Sequence, residues 1–348
     1  MHLDLTGRER VLIAMATVLA AAGLALMVVD MRAALGGWLA ASVTFSAVSA
    51  GATYLLLTMR LIPGAWGEEL RLAAEGGSLL TPFALLAFFP VMLGAGVIYP
   101  WATGAGLNDF QAAWLGETAY ALRTSVRFLA LIWVSHRMRQ RRSTVATAAG
   151  GLMVLPLLAS LTAVDWLMSL DPDFASSGFG LQFLIREVLV AFAAILLLRL
   201  GAGRPPARLG VTGGVLLTLL LIWAYLQYMP FLTAWSGNLP SSAEWYISRG
   251  VHGWGLLAAA WAGAGLLAIL LLLFPACRAR AGWLRPIAAL VLASQLLESA
   301  WLVLPAFQPL AVLTYMLGIA AGTAFCAAML PAALRRRIHA RIPRRTPA

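Results

Sequence analysis

Eight ionisable side chains fall inside, or within a turn of, long apolar stretches of this chain: Glu117, Arg123, Arg127, Asp165, Arg186, Glu187, His252 and Glu298. An ionised group in hydrocarbon is costly, so such residues face the interior of a helix bundle, where they pair, relay protons or meet ligands. Glu117, Tyr120, Arg123 and Arg127 recur at helical spacing within an arc of roughly 120°, which makes one polar stripe down a helix face. Arg123 and Arg127, one turn apart, repel each other unless acids lie nearby. Arg186 and Glu187 sit about nine residues, or roughly 13 Å, inside another apolar segment at helical rise. That depth lets Glu187 pair with either Arg123 or Arg127. Together with Asp165, His252 and Glu298 in the same half of the bilayer, the group suits a proton path or a quinone headgroup pocket. Buried ion pairs that only fix helix packing and register are the competing reading.

The elements that must position these groups follow from composition. The chain of 348 residues is 61% hydrophobic and only 11% charged, whereas soluble domains carry about a quarter of their residues as charges. The fold class is therefore all-α and polytopic in a membrane, a single integral membrane domain over 1–348 with a basic tail at 333–348. A spanning helix needs about 20 apolar residues, which predicts ten: 10–29, 36–59, 78–99, 116–135, 145–168, 178–199, 210–233, 252–274, 285–305 and 309–331. No small-residue cleavage site follows the first apolar stretch, so it reads as a retained helix. The short 305–309 connection makes the last two helices antiparallel neighbours.

Every basic residue but the histidines is Arg, which alone sets the net charge of +11. With ten helices, twenty arginines fall at the two termini and in the loops on their side. Only Arg32 and Arg249 fall opposite, and Arg123, Arg127 and Arg186 lie inside helices. The positive-inside rule then puts both termini in the cytoplasm. The Arg clusters at 335–337 and 344–345 are topology determinants that touch anionic lipid; the lipid bilayer, not nucleic acid, is the partner they imply.

Other chemistries lack their residues. Cys277 and Cys326 form no CxxC or zinc spacing. Of four histidines, His2, His136 and His339 fall in cytoplasmic-side loops or tails and leave only His252, so paired axial ligands for a haem within the bundle are not available. P-loop, GxSxG and HExxH strings are absent. No metal site and no cofactor of its own is expected. Two segments stand out between apolar stretches: DWLMSLDPDF at 165–174 and WSGNLPSSAEWY at 235–246. Their aromatics, Trp166, Trp235, Trp245 and Tyr246, suit a headgroup-level belt. Pro172, Gly237, Asn238 and Pro240 suit rigid turns presenting a docking surface to an extracytoplasmic partner.

DWLMSLDPDFASSGFGLQF (165–183) and WAYLQYMPFLTAWSGNLPSSAEWYISR (223–249) resemble the integral membrane F subunit of alternative complex III, within the broader polysulfide-reductase membrane-subunit family. ESAWLVLPAF (298–307), Arg123 in its aromatic setting and the arginine-rich tail agree, and the resemblance covers roughly 110–340. It implies two four-helix bundles flanked by terminal helices, beside a homologous quinol-binding membrane subunit and under extracytoplasmic subunits carrying haem c and iron–sulfur clusters, with quinone also held by a partner. It implies a non-catalytic subunit of a respiratory quinol:electron-acceptor oxidoreductase, serving assembly and proton conduction. Carried over by position are Asp165, Asp171, Trp235, Asn238, Trp245 and Tyr246. The chain departs from the family at Asp173-Phe174, where His-Trp is common, and at 205–210, where His-Asp is common.

Two rival functions remain. A secondary transporter would show broken helices at matching positions in both halves; Pro90 and Pro156 interrupt the first half, and no counterparts are expected in the second. A quinol-binding subunit in its own right would need a polar pocket near one interface.

Overall fold

The computed structural model describes residues 5–103, 109–140, 143–171, 174–201, 207–307 and 309–341, with 110, 113 and 337–341 described by backbone alone. The described residues are helical throughout, joined by turns, with no strand among them. The first half runs α1 (Gly7–Ala25), α2 (Met31–Leu61), α3 (Ala65–Ser78), α4 (Thr81–Leu93), the short α5 (Ala95–Ile98) and α6 (Asp109–Trp114), α7 (Glu117–Arg139) and α8 (Val145–Trp166). The second runs α9 (Phe179–Gly201), α10 (Leu209–Ser236), α11 (Pro240–Ser248), α12 (Trp254–Leu273), the single turn α13 (Pro275–Arg278), α14 (Ala281–Val303) and α15 (Leu310–Arg341). Nine helical spans among the described residues are long and apolar enough to cross a membrane, so the chain is an all-α, multi-pass membrane protein. The 23-residue α7 is not one of the nine, because it carries Glu117, Arg123, Arg127, Arg137 and Arg139.

The third span begins earlier than hydropathy indicates. Helix starts at Ala65, not near 78, and α3 runs into α4 through a turn at Leu79–Leu80. Glu68, Glu69, Arg71 and Glu75 conceal α3 from a hydropathy window, yet Glu75 is buried and bonded to Arg71 at 3.2 Å across one turn. The span also ends at Leu93 rather than 99, where Gly94 leads into α5. A second difference lies at 235–246. This segment is the end of α10, a tight turn and most of a short helix, α11, rather than an open loop. Asn238 makes the turn with a positive φ of 47°, a conformation that Asn tolerates better than most residues, and Pro240 starts α11 at the position where its missing N–H costs nothing.

Packing places α2 at the centre. It is rich in Gly, Ala and Ser, is buried along most of its length, and packs on α9, α15, α3, α4 and α8. Without lipid-excluding hydrophobic force, membrane helices gain from close approach of small residues. Gly51 lies so near α9 that a Cβ there would collide with the Glu187 carbonyl oxygen. On its other flanks α9 packs against α8, α10 and α14, while α12 packs against α14 and α10. The terminal helices pack on each other, and Arg335 forks onto Glu9 with two bonds of 2.7 Å. The basic tail thus begins as helix; 342–348 lie outside the described residues. Prolines lie inside α4 (Pro90), α8 (Pro156), α10 (Pro230), α14 (Pro286) and α15 (Pro331). The second half thus also contains helices with interior prolines.

Candidate functional site

The site is a row of buried polar groups near the end of the molecule where the two motif segments lie. It starts at Asp165 in the last turn of α8. Arg123 of α7 grips this carboxylate with Nε at 2.6 Å and a terminal nitrogen at 2.9 Å, the bidentate geometry that guanidinium planarity favours. Trp114 of α6 completes the knot. Its indole N–H donates to Asp165 at 3.2 Å, its carbonyl accepts from Arg123 at 3.1 Å, and its ring lies 4.3 Å from the Arg123 guanidinium carbon.

One turn further along α7, Arg127 donates to Thr162 of α8 at 2.6 Å and to Glu187 of α9 at 2.5 Å. Both charged partners are fully buried, and the rings of Trp166 and Phe183 lie 4.7 and 5.0 Å from the Arg127 guanidinium carbon. Of the two pairings open to Glu187, the structure contains the one with Arg127; Arg123 belongs to Asp165. Each arginine thus has its own acid, which removes the repulsion expected along α7.

Consecutive residues on a helix point about 100° apart, so Arg186 leaves α9 on a different side from Glu187. It donates to Ser299 of α14 and, at 3.4 Å, to Thr44 of α2. Its Nε and second terminal nitrogen have no acceptor among the described residues. Glu298, also on α14, accepts from Trp223 at 2.9 Å, Gln227 at 2.6 Å and Gln295 at 2.9 Å. Arg186 and Glu298 do not bond directly. They line one cavity of about 10 Å³ with Gln182 and Gln227, a space on the scale of a single water with several polar partners.

Not every candidate joins the row. Glu117 is exposed at the start of α7, against Gly96. His252 is exposed in the turn before α12, with φ of 54°, so it does not start that helix. Trp166 corrects the docking reading outright: it is fully buried, stacked on Phe128 and tilted against Phe88 with its N–H on Thr124 at 2.9 Å, and belongs to the core. Trp245 is buried too, whereas Trp235 is half exposed, Asn238 is exposed and Tyr246 and Asp171 are partly so. Pro172 and Asp173 lie outside the described residues.

The two motif segments meet. Phe174 stacks on Trp245 with centroids 4.2 Å apart and planes within 17°, and Asp171 lies 3.7 Å from Arg249. Arg249 sits 4.0 Å over the Trp245 ring, and its carbonyl accepts from Trp301 at 3.1 Å. Burial draws the Arg249 guanidinium down to about 10, opposed by the Asp171 charge. Beside this junction opens a cavity of about 610 Å³ walled by α9, α10, α11, α12 and α14.

The sequence reading missed Gln182, Gln227, Gln295, Trp223, Thr44 and Ser299. A lone amide in an apolar run, as in LQF or YLQYM, was the available signal, since polar residues in such helices bond across the bundle. Among the described residues, no three His, Cys, Asp or Glu side chains come together as metal ligands. No protein-family model matches this chain, and no curated protein matches it.

Proposed function

We propose that this chain is a non-catalytic integral membrane subunit of a respiratory quinol:electron-acceptor oxidoreductase, similar to the F subunit of alternative complex III. The observation that carries this reading is the junction of Phe174 with Trp245 and of Asp171 with Arg249. The two segments on which the resemblance rests are far apart in sequence, yet they form one surface above the buried polar row. In this reading α7 is the tenth crossing, made tolerable by the acids that pair its arginines. α2, α3–α4, α7 and α8 form one four-helix bundle, α9, α10, α12 and α14 the second, and α1 with α15 flank them. Both termini are cytoplasmic in the inner membrane. Trp235 and Asn238 at the exposed rim dock extracytoplasmic subunits that carry haem c and iron–sulfur clusters, while a homologous quinol-binding subunit lies alongside. The row from Asp165 to Glu298 serves assembly and carries protons part of the way across.

Gentle detergent extraction of the tagged chain from its native membrane tests the reading. Co-purification of a multihaem cytochrome c and iron–sulfur subunits is the expected result. A stable lone protein that takes up a solute in liposomes would overturn it in favour of a transporter.

A further inference from the structure

The cavity of about 610 Å³ has the size of a small-molecule site, for which about 300–1,000 Å³ is usual. Its wall is unusually aromatic: Trp223, Trp245, Trp261, Trp301, Phe179 and Tyr246 all contribute. These rings are set at steep angles, with Trp245 at 89° to both Trp301 and Tyr246. They make a cage that can take a flat ring by stacking on one face and edge contact on another.

Two polar atoms in that wall are unused. Trp261 Nε1 and Arg249 Nε belong to residues only 8% and 5% exposed, and neither has an acceptor among the described residues. Both are N–H donors, and a buried donor without an acceptor destabilises the fold until an acceptor arrives. An occupant that completes this site therefore brings acceptor oxygens. It is also uncharged. The ionised side chain in the wall is Arg249, and Asp171 already stands 3.7 Å from it. The wall residues Trp223 and Gln227 both donate to the Glu298 carboxylate. An anionic head such as a lipid phosphate would have these two carboxylates directly behind the wall and gain little from one cation that is already paired.

We infer that this cavity binds a flat, neutral ring with acceptor oxygens on an apolar tail, the chemistry of a membrane quinone. It deepens the reading of the chain as a subunit of a quinol-oxidising complex and rests on that reading for the source of the ligand. It departs from it by placing a ring in this chain itself, between α10, α12 and α14.

The test uses the purified full chain in detergent, titrated with a short-tailed benzoquinone while tryptophan fluorescence is followed. Saturable quenching is expected. Trp261→Phe keeps an aromatic ring, though a smaller one, and removes one donor; it should weaken binding about tenfold, the loss of a single hydrogen bond. Ala258→Phe, at a partly buried position in the wall, fills the cavity and should abolish saturable quenching; it keeps the test decisive if Trp261→Phe fails to fold. Trp133→Phe, at an exposed site on α7, should leave binding unchanged. Quenching that rises linearly without saturation, or a dissociation constant untouched by Trp261→Phe and Ala258→Phe in folded protein, would overturn the proposal. So would a phospholipid retained in native mass spectra that the quinone fails to displace. Because the titration needs only the isolated chain, it separates the two ideas. Binding without co-purifying haem and iron–sulfur partners would refute the complex alone, and partners without binding would refute the site alone.

Discussion

Arg127 reaches Glu187 at 2.5 Å with both side chains sealed from solvent, so α7 is fastened to α9 by a charge pair that neither helix tolerates alone. Removing one member of a buried pair leaves an uncompensated charge and costs about 3–5 kcal/mol. Glu187→Gln should therefore destabilise the chain by that order when Arg127 is intact, and far less in an Arg127→Met background. In an Arg123→Gln background the full cost should return, since Arg123 is committed to Asp165. Unfolding in mixed micelles across this double-mutant cycle reads the coupling directly; equal damage in both backgrounds would refute the pairing.

Asp165 holds α6 as well as α7, because Trp114 and Arg123 converge on the same carboxylate. Asp165→Asn keeps the shape but gives up the charge that draws both donors. Arg123 retains some solvent access, so the global cost should be modest, on the order of 1–3 kcal/mol as for one charged hydrogen bond. The local effect should be larger. Hydrogen exchange should quicken in α6 and the first turn of α7 while α9 stays protected; unchanged exchange in α6 would show that other contacts hold it.

Docking and packing roles separate at the junction of the two motif segments. Trp235 is 50% exposed on the rim, while Trp245 is 6% exposed beneath Phe174. Trp235→Ala should leave the chain's own stability within about 0.5 kcal/mol, as surface changes do, yet reduce recovery of the extracytoplasmic partners in a pull-down. Trp245→Ala should cost about 3–5 kcal/mol, the usual loss for a buried aromatic. Loss of partners with Trp245→Ala but not with Trp235→Ala would move the docking surface elsewhere.

The contrast between those two tryptophans shows where the sequence was legible. The apolar runs predicted ten spans, nine of which stand among the described residues, and charges inside them marked Arg127, Asp165, Arg186, Glu187 and Glu298 as buried groups and Arg123 as a partly buried one. Composition could not rank partners. Glu187 lay within reach of two arginines by depth alone, and only the rotation of α7 against α9 chooses between them. Trp166 and Trp235 also look alike as aromatics flanking a polar segment, although α8 turns one into the core and α10 leaves the other at the rim. His252 misled for a related reason: Gly253 caps α12 after it, so the histidine falls in the turn rather than on a helix face. Helix α3 escaped because its buried Glu75 and its Arg71 satisfy each other, and Arg71 also donates to the Met138 carbonyl, partners that a hydropathy window cannot see.

Close approach of α2 to α9 gives a final prediction. At Gly51 an added methyl group would strike the Glu187 carbonyl and the Ala191 side chain, and backbone cannot yield as a flexible side-chain tip can. Gly51→Ala should destabilise by about 1–3 kcal/mol, the range for overpacking, despite the better helix propensity of Ala. Gly150 in α8 is the control, because nothing lies within 4 Å of its would-be methyl. There Ala should be neutral or raise stability by up to about 1 kcal/mol, the difference in helix propensity. Since Glu187 moves with its carbonyl, Gly51→Ala should also weaken the Arg127 coupling measured in the double-mutant cycle. Thermal unfolding of both variants, with the cycle repeated in the Gly51→Ala background, checks the two effects together. A Gly51→Ala protein as stable as the Gly150→Ala one would mean that the two helices are not in contact at this level.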